Sequence, residues 1–443
     1  MILGAVKSVV RSCFIKYLNN NCDYYSELKF RYAFSSGFRR HIGEITSSVH
    51  DGYSCSKKRN ARIRAVFLCQ VPEAWNSMKP VYLAAKNDPD VDTFLLALPE
   101  KLMHENYGVN HEEYGRNTAF DMCRTFDSDT INAYNSVTHQ WFDLEKLNPD
   151  YVFVIRPYDI HMPPCYKSSE LRKYTKICYT PYSYCKMFWD SRFVYNIEFL
   201  KNIYVVFTEN TYHCNIIRRI LSNILHVKAK AEFFGYPRFD LYRNLPDKPF
   251  DPCFRKTVLW LPRWTTNKSV EATTFFKYKD ILINFFREHK DFRFVCRPHP
   301  LMLRNFLSTG EMTQHDVDEF LKIFAEENNF TYDDTPDYQR ALTDADIFIS
   351  DTSSLLVEQF ITGKPTIFCG SLRKFDPASR KWANLMYTVR DESELLKQLQ
   401  LLTDGQDSRK GARQQYIDAN MKFELSAGER IIDFLKRDFH DAD

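Results

Sequence analysis

The chain has 443 residues, of which 44% are hydrophobic and 26% charged, and its formal net charge is +3. This length predicts two or three domains, and the composition excludes a disordered chain because it offers enough apolar surface for a full core. The small net charge gives no indication of a nucleic-acid partner. The 12 cysteines form neither a CxxC pair nor a Cys/His zinc spacing, so we expect reduced thiols in a cytoplasmic protein without a bound metal.

Residues 1–60 are basic and helical in pattern, and we expect a helical N-terminal extension that ends in a polar linker. Lys7, Arg11 and Lys16 interrupt the apolar run too early for a secretory signal or a membrane span. Two interpretations stay open for this extension. It either lies as an amphipathic segment on the anionic inner face of the membrane, or it packs on the first domain with its basic side in solvent.

Residues 61–225 are predicted to form a first α/β domain. Short apolar runs that suit buried strands alternate there with segments of helical periodicity, which predicts a parallel sheet with helical crossovers. The predicted strands are Ile63–Cys69, Val91–Ala97, Tyr151–Ile155, Lys176–Tyr179 and Tyr204–Thr208. Helices are expected at Trp75–Lys86 and Tyr212–Leu225.

Residues 226–410 are predicted to form a second α/β domain, and residues 411–443 to form terminal helices that can cross back to the first. The predicted strands are Thr257–Leu261, Phe292–Cys296, Ala345–Ile349 and Thr366–Cys369. The predicted helices are Phe275–Lys290, His315–Asn328, a short one that begins near Leu355, Glu392–Leu402 and Ala412–Phe439. The whole chain is therefore assigned to the α/β class.

Polar side chains follow three strands of the second domain at the points where those strands end. They are Arg263 with Trp264, Arg297 with His299, and the run Asp351, Thr352, Ser353 and Ser354. Because ligands of open parallel sheets bind beyond the carboxyl ends of the strands, we expect these side chains to lie together. Arginine binds phosphate oxygens, histidine exchanges a proton near neutral pH, and a Ser/Thr-rich helix start favours anions. The sequence therefore predicts a diphosphate pocket, although each element alone also fits a rigid turn, a ring at the core edge or an ordinary capped helix.

Five motifs in this half of the chain match one protein family. They are GYPRFD at 235–240, LPRWT at 261–265, RPHP at 297–300, SDTSSLLVEQF at 350–360 and KPTIF at 364–368. In order and spacing they resemble the carboxyl half of the CDP-glycerol glycerophosphotransferase family, which includes teichoic-acid and capsule polymerases. The resemblance implies a GT-B-like architecture, in which two Rossmann-like domains face each other across a cleft.

The resemblance also implies an activity. An enzyme of this family transfers glycerol phosphate or ribitol phosphate from a CDP-activated donor to a hydroxyl of a glycan or lipid-linked acceptor, and it needs no metal or other cofactor. By the same resemblance, His299 contacts the donor phosphate, Ser353 and Ser354 hold the diphosphate, and Glu358 lies near the nucleotide ribose. Further nucleotide- or phosphate-binding residues are expected to be Arg238, Arg263, Arg297, Asp351 and Thr352.

The sequence departs from that family in the first domain. The family's polymerases carry a His-Gly element whose His is the expected base for the acceptor hydroxyl, but the corresponding region here, CYTPYSYC at 178–185, has no His. Asp159 or His161 is predicted to serve instead. Two alternatives stay open: a GT-B glycosyltransferase that uses a UDP- or CMP-linked sugar, and a catalytically degenerate relative that only binds.

Overall fold

The computed structural model describes residues 61–100, 114–182, 184, 196–222, 229–243, 253–268, 271–335, 338–423 and 426–441. The expected N-terminal extension and its membrane contact lie outside these described residues. Across these ranges, no helix combines the length and the apolar character needed to cross a bilayer. The chain divides into a first unit, which ends at Leu241 and resumes at Phe423, and a second unit, Tyr242–Lys422.

A parallel sheet forms the centre of the first unit. The described strands of this unit are β1 (Ile63–Cys69), β2 (Val91–Ala97), β3 (Ile131–Asn132), β4 (Tyr134–Asn135), β5 (Gln140–Trp141), β6 (Tyr151–Val154), β7 (Lys176–Tyr179), β8 (Val205–Phe207) and β9 (Lys230–Glu232). Seven of them form the sheet in the order β3-β2-β1-β6-β7-β8-β9, while β4 and β5 pair with each other as a short hairpin. Strand order runs outward in both directions from β1 and β6, as in a Rossmann-like doubly wound sheet.

The apolar runs predicted as strands are buried on both faces of this sheet. Successive residues of β1 point to opposite faces, so Val66 and Leu68 join one core cluster while Phe67 and Cys69 join the other. A strand covered on both sides needs apolar residues at consecutive positions, which explains the uninterrupted apolar run from Ala65 to Cys69 in β1. The helices of this part are α1 (Lys79–Asn87), α2 (Thr118–Cys123), α3 (Ser168–Leu171), α4 (Ile197–Leu200) and α5 (Thr211–Ile220).

The second unit repeats the same topology. Its described strands are β10 (Lys256–Leu261), β11 (Phe292–Cys296), β12 (Phe330–Tyr332), β13 (Ile347–Ser350), β14 (Thr366–Phe368) and β15 (Tyr387–Thr388), in the parallel order β12-β11-β10-β13-β14-β15. The remaining described helices are α6 (Phe275–Glu288), α7 (Met302–Thr309), α8 (Gln314–Glu326), α9 (Tyr338–Asp344), α10 (Leu356–Ile361), α11 (Pro377–Ala383), α12 (Glu392–Thr403), α13 (Lys410–Asn420) and, in the first unit, α14 (Ala427–His440).

Stacked aromatic rings fix α6 over the second sheet. Trp260 of β10 stacks on Phe275 at the start of α6, with ring centroids 5.4 Å apart, and Phe294 of β11 stacks on Phe286 near its end at 4.4 Å. All four side chains are buried. Such pairs stabilise a core beyond their buried area, and two of them at opposite ends set the direction of the helix across the strands.

Helix α14 is attached to the first unit by the GYPRFD motif. The two carboxylate oxygens of Asp240 accept hydrogen bonds from the backbone N–H groups of Ala427 and Gly428, each at 3.0 Å. These are among the N–H groups that a helix start leaves unpaired, so Asp240 satisfies them from a distant part of the chain. Gly235 has a φ of +98°, and a Cβ there would lie 3.2 Å from the ring of Phe423.

The buried carboxylate of Asp438 on α14 lies at the amino ends of four strands of the first sheet. The donors to Asp438 are the side chains of Tyr151, Lys176, Tyr204 and Lys230. Burial alone would raise the pKa of Asp438, but the hydrogen bonds from the two lysines and the two tyrosines outweigh it and bring the pKa to about 2. The last helix therefore closes the first sheet with a charged contact as well as an apolar one.

Some elements differ from the predictions. The segment 230–232 pairs with β8 and belongs to the first sheet, so the chain leaves the first unit after Leu241, whereas the sequence had suggested 225. The predicted helix Ala412–Phe439 is two helices, because Ser426 begins a new one with a capping box to Glu429. Helix α7 was not predicted.

Candidate functional site

Three loops of the second unit follow adjacent strands. Strand β10 lies between β11 and β13, and the strand order reverses between β10 and β13. The loops 262–265, 297–300 and 351–354 therefore leave the carboxyl edge of the sheet at and beside this switch point. Open α/β sheets bind their ligands at this place, since the two neighbouring loops run in opposite directions and leave a crevice.

Asp351 ties two of these loops together. Its carboxylate accepts hydrogen bonds from the backbone N–H of Arg263 at 2.9 Å, from the hydroxyl of Thr273 at 2.7 Å and from the backbone N–H of Thr274 at 3.1 Å. The Asp351 residue is only 3% exposed. The structure thus brings Asp351 to the predicted place but uses it inside the protein, where it sets the position of Arg263.

Arg263 has an unused donor. One terminal nitrogen of its guanidinium donates to the carbonyl of Thr352 at 2.8 Å, while its Nε is buried and has no hydrogen-bond partner within the described structure. Desolvation lowers the pKa of Arg263, and the negative charges of Glu271 and Asp351 oppose this effect. An arginine stays protonated even so, and a buried guanidinium N–H without a partner is stabilised by an added anion.

His299 is joined to the Arg263 loop through its backbone. Its N–H donates to the carbonyl of Pro262 at 3.1 Å, and its ring lies 6.2 Å from that of Trp264. The Nδ1 atom accepts the N–H of Leu301 at 3.2 Å, which places the proton of a neutral imidazole on Nε2. Desolvation and then the positive charge of Arg263 lower the pKa of His299, so the ring is neutral at pH 7. His299 can therefore donate one hydrogen bond from Nε2 to a ligand.

The Ser/Thr run starts a shorter helix than the sequence suggested. Helix α10 has six residues and no side-chain cap. The Ser353 hydroxyl accepts the N–H of Leu355 at 3.2 Å, Thr352 is buried, and Ser354 is exposed. A helix of this length carries only a small dipole, so an anion here would depend more on the nearby cations than on the helix end.

Arg297 is engaged by the loop that follows β12. Its guanidinium donates to the carboxylate of Asp333 at 2.7 Å and to the carbonyl of Thr335 at 2.6 Å. Burial opposes ionisation of Asp333, but the hydrogen bonds from Thr335 and Arg297 lower its pKa overall. The Arg297 side chain is only 12% exposed. Arg297 therefore positions this loop, and its guanidinium is not available to a ligand in the crevice.

Glu358 and Arg238 are also held by the protein itself. Glu358 is 1% exposed and accepts hydrogen bonds from the hydroxyls of Tyr242 at 2.9 Å and Tyr338 at 3.1 Å. Arg238 belongs to the first unit, where it is buried and its guanidinium approaches the carbonyl of Glu73 at 3.5 Å. Both side chains are thus engaged by groups of their own unit.

The two candidate bases lie at the switch point of the first sheet. Asp159 follows β6 and accepts hydrogen bonds from the backbone N–H of Ser168 at 3.1 Å and its hydroxyl at 2.6 Å. The carbonyl of His161 accepts from the side-chain amide of Gln70 at 2.8 Å, and its ring packs edge-on against Tyr158. An open recess of about 430 Å³, its mouth included, is lined by Gln70, Tyr158 and Asp159.

Arg156 was not among the predicted site residues, although it lines the same recess. Its guanidinium donates to the side-chain oxygen of Gln70 at 3.3 Å and pairs with Glu100 at 3.1 Å. Its position directly after β6, at the carboxyl end, was the signal that could have identified it. In the part of the chain that the structure describes, no group of three or more His, Cys, Asp and Glu residues is placed to hold a metal ion.

Comparison with known proteins extends this description. No protein-family model matches the chain, and no curated protein matches it. Solved structures do match. The UDP-GlcNAc 2-epimerase of Neisseria meningitidis bound to UDP-GlcNAc is 11% identical, with a TM-score of 0.55 over 85% of this chain and 100% of that one. The MnaA protein of S. aureus with UDP is also 11% identical, with a TM-score of 0.53 over 84% and 96%.

The wall teichoic acid polymerase TagF is a further structural match. It is 14% identical to the chain, with a TM-score of 0.51 over 92% of this chain and 95% of that one. At these identities a likeness shows the fold alone. It confirms the predicted fold class of two Rossmann-like α/β domains of the GT-B-like type.

Proposed function

We propose that the protein is a transferase that moves glycerol phosphate or ribitol phosphate from a CDP-activated donor to a hydroxyl of a glycan or lipid-linked acceptor, in the synthesis of teichoic acid or capsule. The observation that carries the donor half is the buried, unpartnered Nε of Arg263 beside His299 at the switch point of the second sheet. The diphosphate of a nucleotide donor is the anion that this place in an α/β sheet commonly binds. The motif resemblance, supported by the structural likeness to TagF, narrows the donor to a CDP-polyol.

In the proposed transfer, His299, Arg263 and Asp351 have different roles. The acceptor oxygen forms a bond to the phosphorus that carries the polyol, while the bond from that phosphorus to the bridging oxygen breaks and CMP leaves. Negative charge develops on that bridging oxygen. The Nε2–H of His299 can donate to it, and the guanidinium of Arg263 stabilises it. Asp351 holds Arg263 in place, so we propose a positioning role for Asp351.

The acceptor is assigned to the first unit. The proton of its hydroxyl goes to a base, for which we retain Asp159 and His161. The Asp159 carboxylate already accepts two hydrogen bonds from Ser168, and its use as a base would weaken them. A lipid-linked acceptor requires contact with the inner membrane face, which we assign to the basic residues 1–60. Loss of binding to anionic vesicles after deletion of 1–60 would support that assignment.

Turnover with CDP-glycerol and CDP-ribitol tests the proposal. We expect CMP release from at least one of the two, and a loss of about 100-fold or more in His299→Ala, because a group that acts on the leaving oxygen is removed. His315→Ala provides the matched control, since His315 is exposed at the start of α8. A wild-type protein that neither binds nor turns over any CDP-polyol would refute the proposal.

A nucleotide-sugar transferase is the second candidate. It is favoured by the likeness to structures that hold UDP or UDP-GlcNAc, and the same crevice would serve its diphosphate. Thermal stabilisation by UDP, but not by CMP or CDP, would select this candidate over the first. Turnover of any donor would in turn exclude a relative that only binds.

A further inference from the structure

The described contacts leave the proposed donor site short of positive charge. Of the two arginines that the second unit brings to this edge of its sheet, Arg297 is paired with Asp333. Arg263 remains beside His299, whose pKa is lowered by burial and then by the charge of Arg263, so that the imidazole is neutral. A diphosphate bound at this edge with Arg263 as its only cationic contact would keep uncompensated negative charge. A further cation at the same edge of the second sheet would offset this charge.

The loop after β14 leaves the sheet next to the Ser/Thr run. Strand β14 pairs in parallel with β13, so Phe368 lies beside Ser350 and both loops start at the same edge. The N–H of Cys369 donates to the carbonyl of Ser350 at 2.9 Å. A Cβ on Gly370 would lie 2.7 Å from the hydroxyl oxygen of Thr352, so the two loops are in close contact.

Arg373 lies in this loop with a fixed backbone and an exposed side chain. Its N–H donates to the Ser371 hydroxyl at 3.3 Å, and its carbonyl accepts from the guanidinium of Arg380, also at 3.3 Å. Among the described residues, no carboxylate lies within ion-pair distance of the Arg373 guanidinium. The Arg373 guanidinium is thus exposed and unpaired within the described structure, and its backbone lies three residues beyond Gly370, which contacts Thr352.

We propose that Arg373 is a further phosphate-binding residue of the donor site, and that it takes the phosphate more distant from the nucleoside. The inference rests on the proposed function for the nature of the ligand. Arg263, fixed by Asp351, is a preformed contact, whereas Arg373 folds onto the ligand when the ligand is present. A guanidinium suits this task because its planar donors match two phosphate oxygens at once.

Calorimetric titration with CDP, CMP and UDP tests the inference. Arg373→Gln should weaken CDP binding by about 10-fold, the lower end for a hydrogen bond to a charged group because the side chain starts exposed. Binding of CMP, which lacks the second phosphate, should change much less. Arg373→Lys keeps the charge and should recover part of the loss. All variants should melt like the wild type, since Arg373 makes no buried side-chain contact.

Arg287→Gln provides the control for the loss of one positive charge. Arg287 lies near the end of α6, directly before β11, and therefore at the opposite edge of the sheet. If wild-type protein binds CDP and Arg263→Gln weakens it, but Arg373→Gln binds like wild type, the assignment of Arg373 is wrong and the proposed function stands. Equal losses for CDP and CMP would also contradict it. If wild-type protein binds none of the three nucleotides, both the assignment and the proposed function fail.

Discussion

Asp438→Asn should destabilise the first unit by about 2 to 3 kcal/mol at neutral pH. The carboxylate is 4% exposed and accepts from Lys176, Lys230 and two tyrosines, and its pKa is about 2 instead of the usual 3.8. That difference of nearly two pH units corresponds to about 2.5 kcal/mol of stabilisation. The two lysines are partly exposed, so the cost of leaving them without a partner is modest beside that of a fully buried ion pair.

The stabilisation by Asp438 should decrease as the pH is lowered. Because the pKa of Asp438 is lower in the folded protein than in the unfolded chain, the stabilisation is fully present well above pH 3.8 and is lost as the pH falls toward about 2. Roughly half should remain near pH 3. The assay is urea unfolding at pH 7 and at lower pH, together with amide hydrogen exchange of β6 to β9, which isolates the first sheet from the second unit.

Asp433→Asn on the same helix controls for the charge change, since Asp433 is exposed. Its effect should stay within about 0.5 kcal/mol. The reasoning would be refuted if Asp438→Asn cost no more than this control at pH 7, or if the gap between the two variants did not narrow at low pH. Either result would mean that Asp438 does not help to hold α14 on the first sheet, which would then depend on apolar packing and on other polar contacts such as the Asp240 cap.

Three further outcomes are expected. Gly370→Ala should lower the melting temperature, because the new Cβ would overlap the Phe368 ring and lie 2.7 Å from the Thr352 hydroxyl, and relieving such a clash costs about 1 to 3 kcal/mol; an unchanged melt would contradict the close packing around Gly370. Arg297→Gln should speed amide exchange in the loop after β12 by freeing Asp333, with little change in CDP affinity, so a large affinity loss would show that Arg297 binds phosphate after all. CDP should bind more weakly to His299→Ala than to the wild-type protein at pH 8, since the neutral imidazole donates to the diphosphate from Nε2, and equal affinities would contradict that contact.

The strands were the most predictable part of the fold. The predicted limits of β1, β2, β7 and β11 agree with the structure. Each is a mostly apolar run between polar turns, and burial within a parallel sheet favours that pattern. The unit boundary was less predictable, because β9 has only three residues and its pairing with β8 depends on a partner strand that local sequence does not reveal.

The sequence could predict where the candidate site lies, but not which of its residues are available to a ligand and which are held by other parts of the protein. Arg263, His299 and Asp351 follow strands of one parallel sheet, so their meeting at one edge follows from topology once the strands are identified. Which of the polar residues stay available to a ligand depends on remote partners. Glu358 is bonded to Tyr242, more than a hundred positions earlier, and no local pattern indicates such a contact.

The GYPRFD motif illustrates the same point. As part of a family resemblance it suggested phosphate binding through Arg238. In the structure its Asp240 caps α14, and Arg238 lies buried in the first unit. A motif can serve to connect distant segments of the chain. The sequence by itself does not distinguish that structural role from a binding role.

A crystal structure of the protein soaked with CDP tests the central claim most directly. We predict the diphosphate at the carboxyl edge of the second sheet, with its oxygens within hydrogen-bond distance of Nε of Arg263 and Nε2 of His299. CDP bound away from these two atoms, or no bound nucleotide at concentrations that saturate the wild type in solution, would contradict the account.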